Sequence, residues 1–173
     1  MAEERFDIYN GNKERTGRTM IREGSFLREG EYCLIVLGIV ERPDHRFLIT
    51  QRSEEKHWAP GAWEVPGGGV RAGEDSCEAV RREVYEETGI SAADAEVKLI
   101  DTYSNVDLKR GDNYFVDIYH IAMDFDEADM HYDPAEAQGI KLAGFDEITR
   151  LDEKGAFMHY KRIKTALVKA GLL

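Results

Sequence analysis

The chain has 173 residues, 42% of them hydrophobic and 33% charged, a balance that suits one soluble globular domain and excludes a low-complexity or disordered protein. A net charge of −11 argues against a surface for nucleic acid polymers, which require clustered Lys and Arg. The longest apolar run, residues 33–40, is too short to span a bilayer, and Met1-Ala2-Glu3-Glu4-Arg5 lacks the charged-then-apolar pattern of a signal peptide, so no membrane partner and a cytoplasmic location are expected.

In chain order, residues 6–29 mix short apolar pieces such as Phe6-Asp7-Ile8-Tyr9 with turn residues Asn10-Gly11-Asn12 and Gly17, which predicts a loose hairpin. Residues 31–40 are almost continuously apolar and rich in β-branched side chains, the pattern of a buried strand, and residues 47–52 follow as its neighbour across the turn Pro43-Asp44-His45. Residues 58–69 are punctuated by Pro and Gly and predict a loop with brief extended pieces. No Pro or Gly interrupts residues 75–88, and Gly89 stands where a helix C-terminal glycine would, so a helix is predicted there. Residues 96–103, 114–125 and 140–145 have strand composition, and 156–170 has the spacing of an amphipathic closing helix. The order is β-rich, helix, β-rich, helix, which predicts an α+β fold with a mixed β-sheet packed between helices. Cys33 and Cys77 have no CxxC spacing and read as buried thiols.

Along the predicted helix Cys77, Val80, Val84 and Thr88 fall on one stripe that would face the sheet, with Glu83 and Glu87 side by side next to it and Glu86 one step further round. Like charges four apart oppose each other, and the helix dipole disfavours acids near a C-terminal end. A run of this kind is most often a solvated face. Here it borders a buried stripe and follows a Gly-rich loop, where a hard divalent cation that takes carboxylate and carbonyl oxygens would neutralise it. Since Mg²⁺ keeps open positions that phosphate oxygens fill, the cluster predicts a phosphorylated substrate.

The whole segment reads Gly68, five residues, Glu74, seven residues, then Arg82-Glu83-Val84-Tyr85-Glu86-Glu87-Thr88-Gly89-Ile90, and it resembles the Nudix box of the Nudix hydrolases. Trp63-Glu64-Val65-Pro66-Gly67-Gly68 is similar to the strand and turn that lead into that box. The resemblance implies a Nudix-type α/β/α sandwich spanning 1–173 as a single domain, with 1–30 as an N-terminal extension. It also implies a MutT-like pyrophosphohydrolase that cleaves the diphosphate linkage of a small phosphorylated, nucleotide-derived substrate with Mg²⁺ or Mn²⁺. Carried over by position, Glu83, Glu86 and Glu87 would be the metal ligands, with the Gly68 carbonyl a further one. Glu74 and Arg82 would form a bracing ion pair, and Gly89 would close the helix. The general base implied is a box glutamate, Glu83 or Glu86, or a carboxylate of a later loop, for which Asp129, Asp133 and Glu136 are candidates and Glu136 the foremost.

Substrate contacts are read from the residues themselves. Arg52 ends a strand just before the loop, where its guanidinium would reach a phosphate or join a surface ion pair. Trp58 and Trp63 offer faces for a base, with packing at the sheet edge the other use of Trp63. The five histidines have no metal-ligand spacing, and Lys161, Arg162, Lys164 and Lys169 read as a solvated basic face.

Phe6-Asp7-Ile8-Tyr9, Gly17-Arg18-Thr19 and Gly30-Glu31-Tyr32 also resemble the entry region of the Nudix proteins related to isopentenyl-diphosphate isomerase. That resemblance implies an isomerase as an alternative, but its catalytic cysteine would fall near Val65-Pro66-Gly67, where this chain has none. A non-catalytic nucleotide-sugar sensor of the same fold is a further alternative. A homodimer stays open, with the N-terminal segment a contributor to its interface.

Overall fold

The computed structural model describes residues 4–21 and 24–173. Met1 to Glu3, read above for a targeting signal, and residues 22–23 of the expected hairpin segment lie outside the described residues. Strands β1 (Arg5–Tyr9) and β2 (Arg15–Ile21) pair antiparallel as a separate two-stranded sheet, the hairpin that the turn residues predict. The main sheet is built from β3 (Cys33–Glu41), β4 (Arg46–Arg52), β5 (Trp63–Glu64), β6 (Gly67–Gly69), β7 (Glu96–Asn105), β8 (Tyr114–Ala122) and β9 (Ala137–Gly144). Helix α1 (Ser76–Thr88) follows β6, and α2 (Phe145–Glu153) and α3 (Tyr160–Lys169) follow β9.

The sheet is mixed. Strand β3 runs parallel to β8 along its whole length, and the other pairings are antiparallel, in the order β5-β4-β3-β8-β7 with β6 on β3 and β9 on β4. One irregularity sets up everything that follows. Strands β3 and β4 share only the pair Glu41↔Phe47 and then part, so that β3 takes β6 as its partner and β4 takes β9. The Gly-rich strand β6 is thereby held inside the split.

Each face of the sheet carries a core. Val36, Val40, Val80, Val84 and Ile121 pack on the α1 side, and Leu37, Ile39, Ile118, Ile148, Ile163 and Leu167 on the α2/α3 side. Burial on both faces explains why β3 reads as an unbroken apolar run rather than an alternating one. Helix α1 lies close against β3: a Cβ at Gly38 would sit 3.0 Å from both Val80 and Val84 methyl carbons.

Three expectations change. Helix α2 is absent from the predicted order, because its N-cap is Gly144 with no side-chain cap and its first residue, Phe145, continues the apolar composition of β9. The closing helix starts at Tyr160, four residues later than predicted. Residues just before it run alongside Trp63, which donates its N–H to the Ala156 carbonyl at 2.8 Å and accepts from Met158 N–H at 2.9 Å. Cys33 is buried, with its thiol pushed up to about 11 by burial, whereas Cys77 is only partly covered. Among the described residues no helix is long and apolar enough to cross a membrane.

Candidate active site

Helix α1 is fixed at both ends by local chemistry. Asp75 caps its start by accepting from Glu78 N–H at 2.8 Å, while the Glu78 carboxylate accepts from Asp75 N–H at 3.0 Å, a reciprocal box that satisfies two otherwise free donors. Gly89 ends it in a left-handed conformation, φ 72°, with no room for a side chain: a Cβ there would lie 2.0 Å from the His131 ring.

Between those ends, Arg82 does more than pair with Glu74. Its Nε and Nη2 donate to the two oxygens of Glu74 at 2.8 and 2.9 Å, and Nη2 also reaches the Gly69 carbonyl at 2.9 Å. Its Nη1 donates to Glu83 at 2.6 Å and to Glu86 at 3.1 Å. One guanidinium thus ties the loop after β6 to two of the three helix carboxylates. Glu86 is the outermost of these and also accepts from Arg71 at 3.3 Å.

Glu83 and Glu87 turn toward β6. The Glu83 carboxylate lies where a side chain at Gly68 would be, with Oε1 2.5 Å from the position of a Cβ, so a larger residue there would push that carboxylate aside. Glu87 accepts from Gly67 N–H at 3.3 Å, and among the described residues no Lys or Arg is paired with it. Burial, and then the charges of Glu64 and Glu83, push the Glu87 carboxyl well above the usual carboxylate range, with the Gly67 N–H as the opposing influence.

Beside Glu87 is a cavity of about 30 Å³, lined by Thr50, Arg52, Lys56, Glu64, Glu136 and Ala137 as well. Glu64 faces it because it pairs with Thr50 across β4 and β5, and its carboxylate receives Arg52 Nη1 at 3.0 Å. Burial raises the Glu64 carboxyl, and Arg52 opposes that shift. Glu136, from the loop before β9, meets Lys56 at the rim.

Of the predicted site residues, Gly68, Glu83, Glu87, Arg52 and Glu136 are brought to this corner, with Glu86 on its outer edge and Glu74, Arg82 and Gly89 framing it. Arg52 is engaged by Glu64 and by the Trp58 carbonyl, at 3.1 Å, and its guanidinium lies 5.6 Å from the Trp58 ring centre. Trp63 packs into the α2/α3 core with Lys141 Nζ 4.4 Å above its ring, and it does not line the cavity. Asp129 and Asp133 are exposed and do not line it, in a 3₁₀ turn and a loop respectively, although the Asp133 carbonyl accepts from Glu136 and Ala137 N–H at 2.9 Å each. Glu64 and Lys56 are the charged cavity residues that sequence reasoning passed over, along with Thr50 and Ala137. Alternation along β4 places Thr50 and Arg52 on one face, but their partner across the strand pair is invisible in a single chain.

Among the described residues no three His, Cys, Asp or Glu side chains stand ready in coordination geometry. Arg82 holds Glu83 and Glu86 instead. The donor set nevertheless suits a hard divalent cation: Glu87 is a partly buried carboxylate with one neutral donor, in the field of Glu64 and Glu83, beside the backbone of a Gly-rich strand.

Comparison with known proteins gives concordant results. The family model for the NUDIX domain matches residues 31–165. The uncharacterized Nudix hydrolase lmo0368 of Listeria monocytogenes is 29% identical over 158 residues, 91% of this chain and 89% of that protein. The crystal structure of DR0079 from Deinococcus radiodurans superposes with a TM-score of 0.67 at 23% identity, covering 87% of this chain and 90% of that one. An Ap4A hydrolase of C. elegans superposes with a TM-score of 0.62 at 20% identity, over 80% of this chain and 95% of that one. At these identities the structural likenesses speak for the fold.

Proposed function

The chain belongs to the Nudix hydrolase family, and from that footing we propose that it cleaves the diphosphate linkage of a nucleoside diphosphate joined to another moiety, using Mg²⁺ or Mn²⁺. The observation that carries this reading is Glu87, a partly buried carboxylate with Glu64 and Glu83 for neighbours and no cationic side chain paired to it among the described residues.

Glu83, Glu86 and Glu87, with the Gly68 carbonyl, would hold the cation. When bound, it would supply neutralising charge to the phosphate oxygens and activation of the attacking water. The remaining work belongs to the chain itself. Arg82 gathers Glu83 and Glu86 and ties them to the Gly69 carbonyl, which keeps both carboxylates beside the loop after β6. Arg52 would orient a phosphate by its fork of donors. Glu136, Glu83 and Glu86 are the carboxylates from which the proton acceptor for the attacking water is drawn. In the same reading, 1–173 is one domain with 1–30 an N-terminal extension, and the protein works in the cytoplasm.

A phosphate-release screen over nucleoside triphosphates, nucleotide sugars, dinucleoside polyphosphates, coenzyme A and prenyl diphosphates, with Mg²⁺ and with Mn²⁺, tests the proposal against Glu87→Gln as blank. Turnover of one class by the wild type, at least a hundredfold above the variant, is the expected result. A wild type equal to the blank in every class would sink it.

A further inference from the structure

The cavity beside Glu87 measures about 30 Å³. That accommodates a water or two, whereas sites for small ligands typically run to about 300 Å³ or more. The cavity must therefore open to admit a diphosphate, and the contacts around it indicate where.

Both basic side chains in its wall are taken by carboxylates, Arg52 by Glu64 and Lys56 by Glu136. The two pairs are differently built. Glu64 sits on a paired strand, and Arg52 is held a second time by the Trp58 carbonyl, so that guanidinium stays in place beside the cavity. Lys56 and Glu136 instead join two loops. Those loops are tied further by Ser53 N–H donating to the Glu136 carbonyl, and Gln138 Nε2 at the start of β9 donates to Glu54, each at 3.2 Å. The Glu136 side chain is 62% exposed, and pairs with so open a member are weak and easily exchanged. A diphosphate brings more than one negative charge to the same ammonium, so it outcompetes a single carboxylate.

We infer that Lys56 is a phosphate-binding residue of this site, screened in the free protein by Glu136, and that a diphosphate opens the site by taking Lys56 from that carboxylate. The inference rests on the diphosphate reading above and extends it. The exchange leaves Glu136 without its cation at the moment the substrate arrives. Binding at Lys56 and release of Glu136 toward the reacting groups are then one event.

The test separates binding from turnover. Imidodiphosphate, a diphosphate that is not hydrolysed, is titrated calorimetrically in the presence of Mg²⁺ into wild type, Lys56→Gln, Lys56→Arg and Glu136→Gln, and KM and kcat are measured on the best substrate of the screen. Lys56→Gln should weaken imidodiphosphate binding by about tenfold or more, the worth of one charge-assisted contact. Its KM should rise in step, with a smaller change in kcat, and Lys56→Arg should restore most of the affinity. Glu136→Gln, which removes the screen, should bind imidodiphosphate more tightly than wild type whatever happens to its kcat. A folded Lys56→Gln with wild-type affinity and KM, or weakened binding in Glu136→Gln, overturns the assignment while leaving the hydrolase intact. A wild type that neither binds imidodiphosphate nor turns over any diphosphate overturns both.

Discussion

Glu87 is the residue at which stability and function pull apart most clearly. Its carboxyl is pushed well above 4.5 by burial and by Glu64 and Glu83, against one opposing N–H from Gly67. A folded-state pKa above the unfolded value means that the native state binds a proton the unfolded chain gives up. Stability linked to this group is full below about pH 4.5 and is lost as pH rises toward the folded value, so at neutral pH Glu87 destabilises the cation-free protein. Glu87→Gln should accordingly melt higher than wild type in chelator at neutral pH. The sign of the difference is the test, each kcal/mol reading as about 2–4 °C for a chain of this size. The gap should narrow as the pH falls toward 4.5, and adding Mg²⁺ should raise the wild type more than the variant. A wild type that melts no lower than the variant in chelator would mean that Glu87 carries no such penalty.

At the scale of elements, α1 is the one the sequence describes almost completely. Its start, its buried stripe and its closing glycine all follow from side-chain chemistry within fifteen or so residues. The cap is testable apart from the chemistry. Asp75→Ala removes the carboxylate that accepts Glu78 N–H, which should cost about 1 kcal/mol of stability, read as a lower urea midpoint. Its kcat at saturating substrate should stay near wild type, because Arg82 still holds Glu83 and Glu86 from the middle of the helix. A tenfold loss of kcat would instead make the cap part of the site. What could not be read is what depends on pairing between distant segments. Helix α2 lacks a side-chain cap and starts on an apolar residue that extends β9. The exchange of partners by which β3 takes β6 and β4 takes β9 leaves no mark in either strand's own periodicity. Glu64 and Lys56 were missed for the same reason, since each reaches the cavity through neighbours far away in the chain. Glu83, Glu86 and Glu87 were legible because four-residue spacing on one helix is a local fact.

Across the whole molecule, the N-terminal hairpin bears on the site loop at several points, although it forms its own small sheet. The Phe6 ring fills the space a side chain at Gly69 would need, with a Cβ there 2.2 Å from the ring, and Asp7 accepts from Gly73 N–H at 2.8 Å. Tyr9 and Tyr32 exchange backbone hydrogen bonds at 2.7 and 2.9 Å, stitching the hairpin to the approach of β3. Its tip is held by Lys13, which pairs with Asp117 on the central strand β8, a carboxylate 1% exposed whose other partner is the Thr102 hydroxyl at 2.7 Å. Removing one member of a buried pair leaves an uncompensated charge, which costs about 3–5 kcal/mol. Lys13→Met should therefore lower stability by an amount in that range, measured by urea unfolding, and should increase proteolytic cleavage between β1 and β2. Asp117→Asn keeps an acceptor for Thr102 without the charge, so Lys13→Met combined with Asp117→Asn should recover most of the loss. If the double variant is instead as unstable as the sum of the two singles, the pair does not hold the hairpin. The brace on the site loop must then come from contacts nearer to it, Phe6 on Gly69, Asp7 on Gly73, the Arg5 carbonyl on Ala72 N–H and Arg15 on the Glu74 carbonyl.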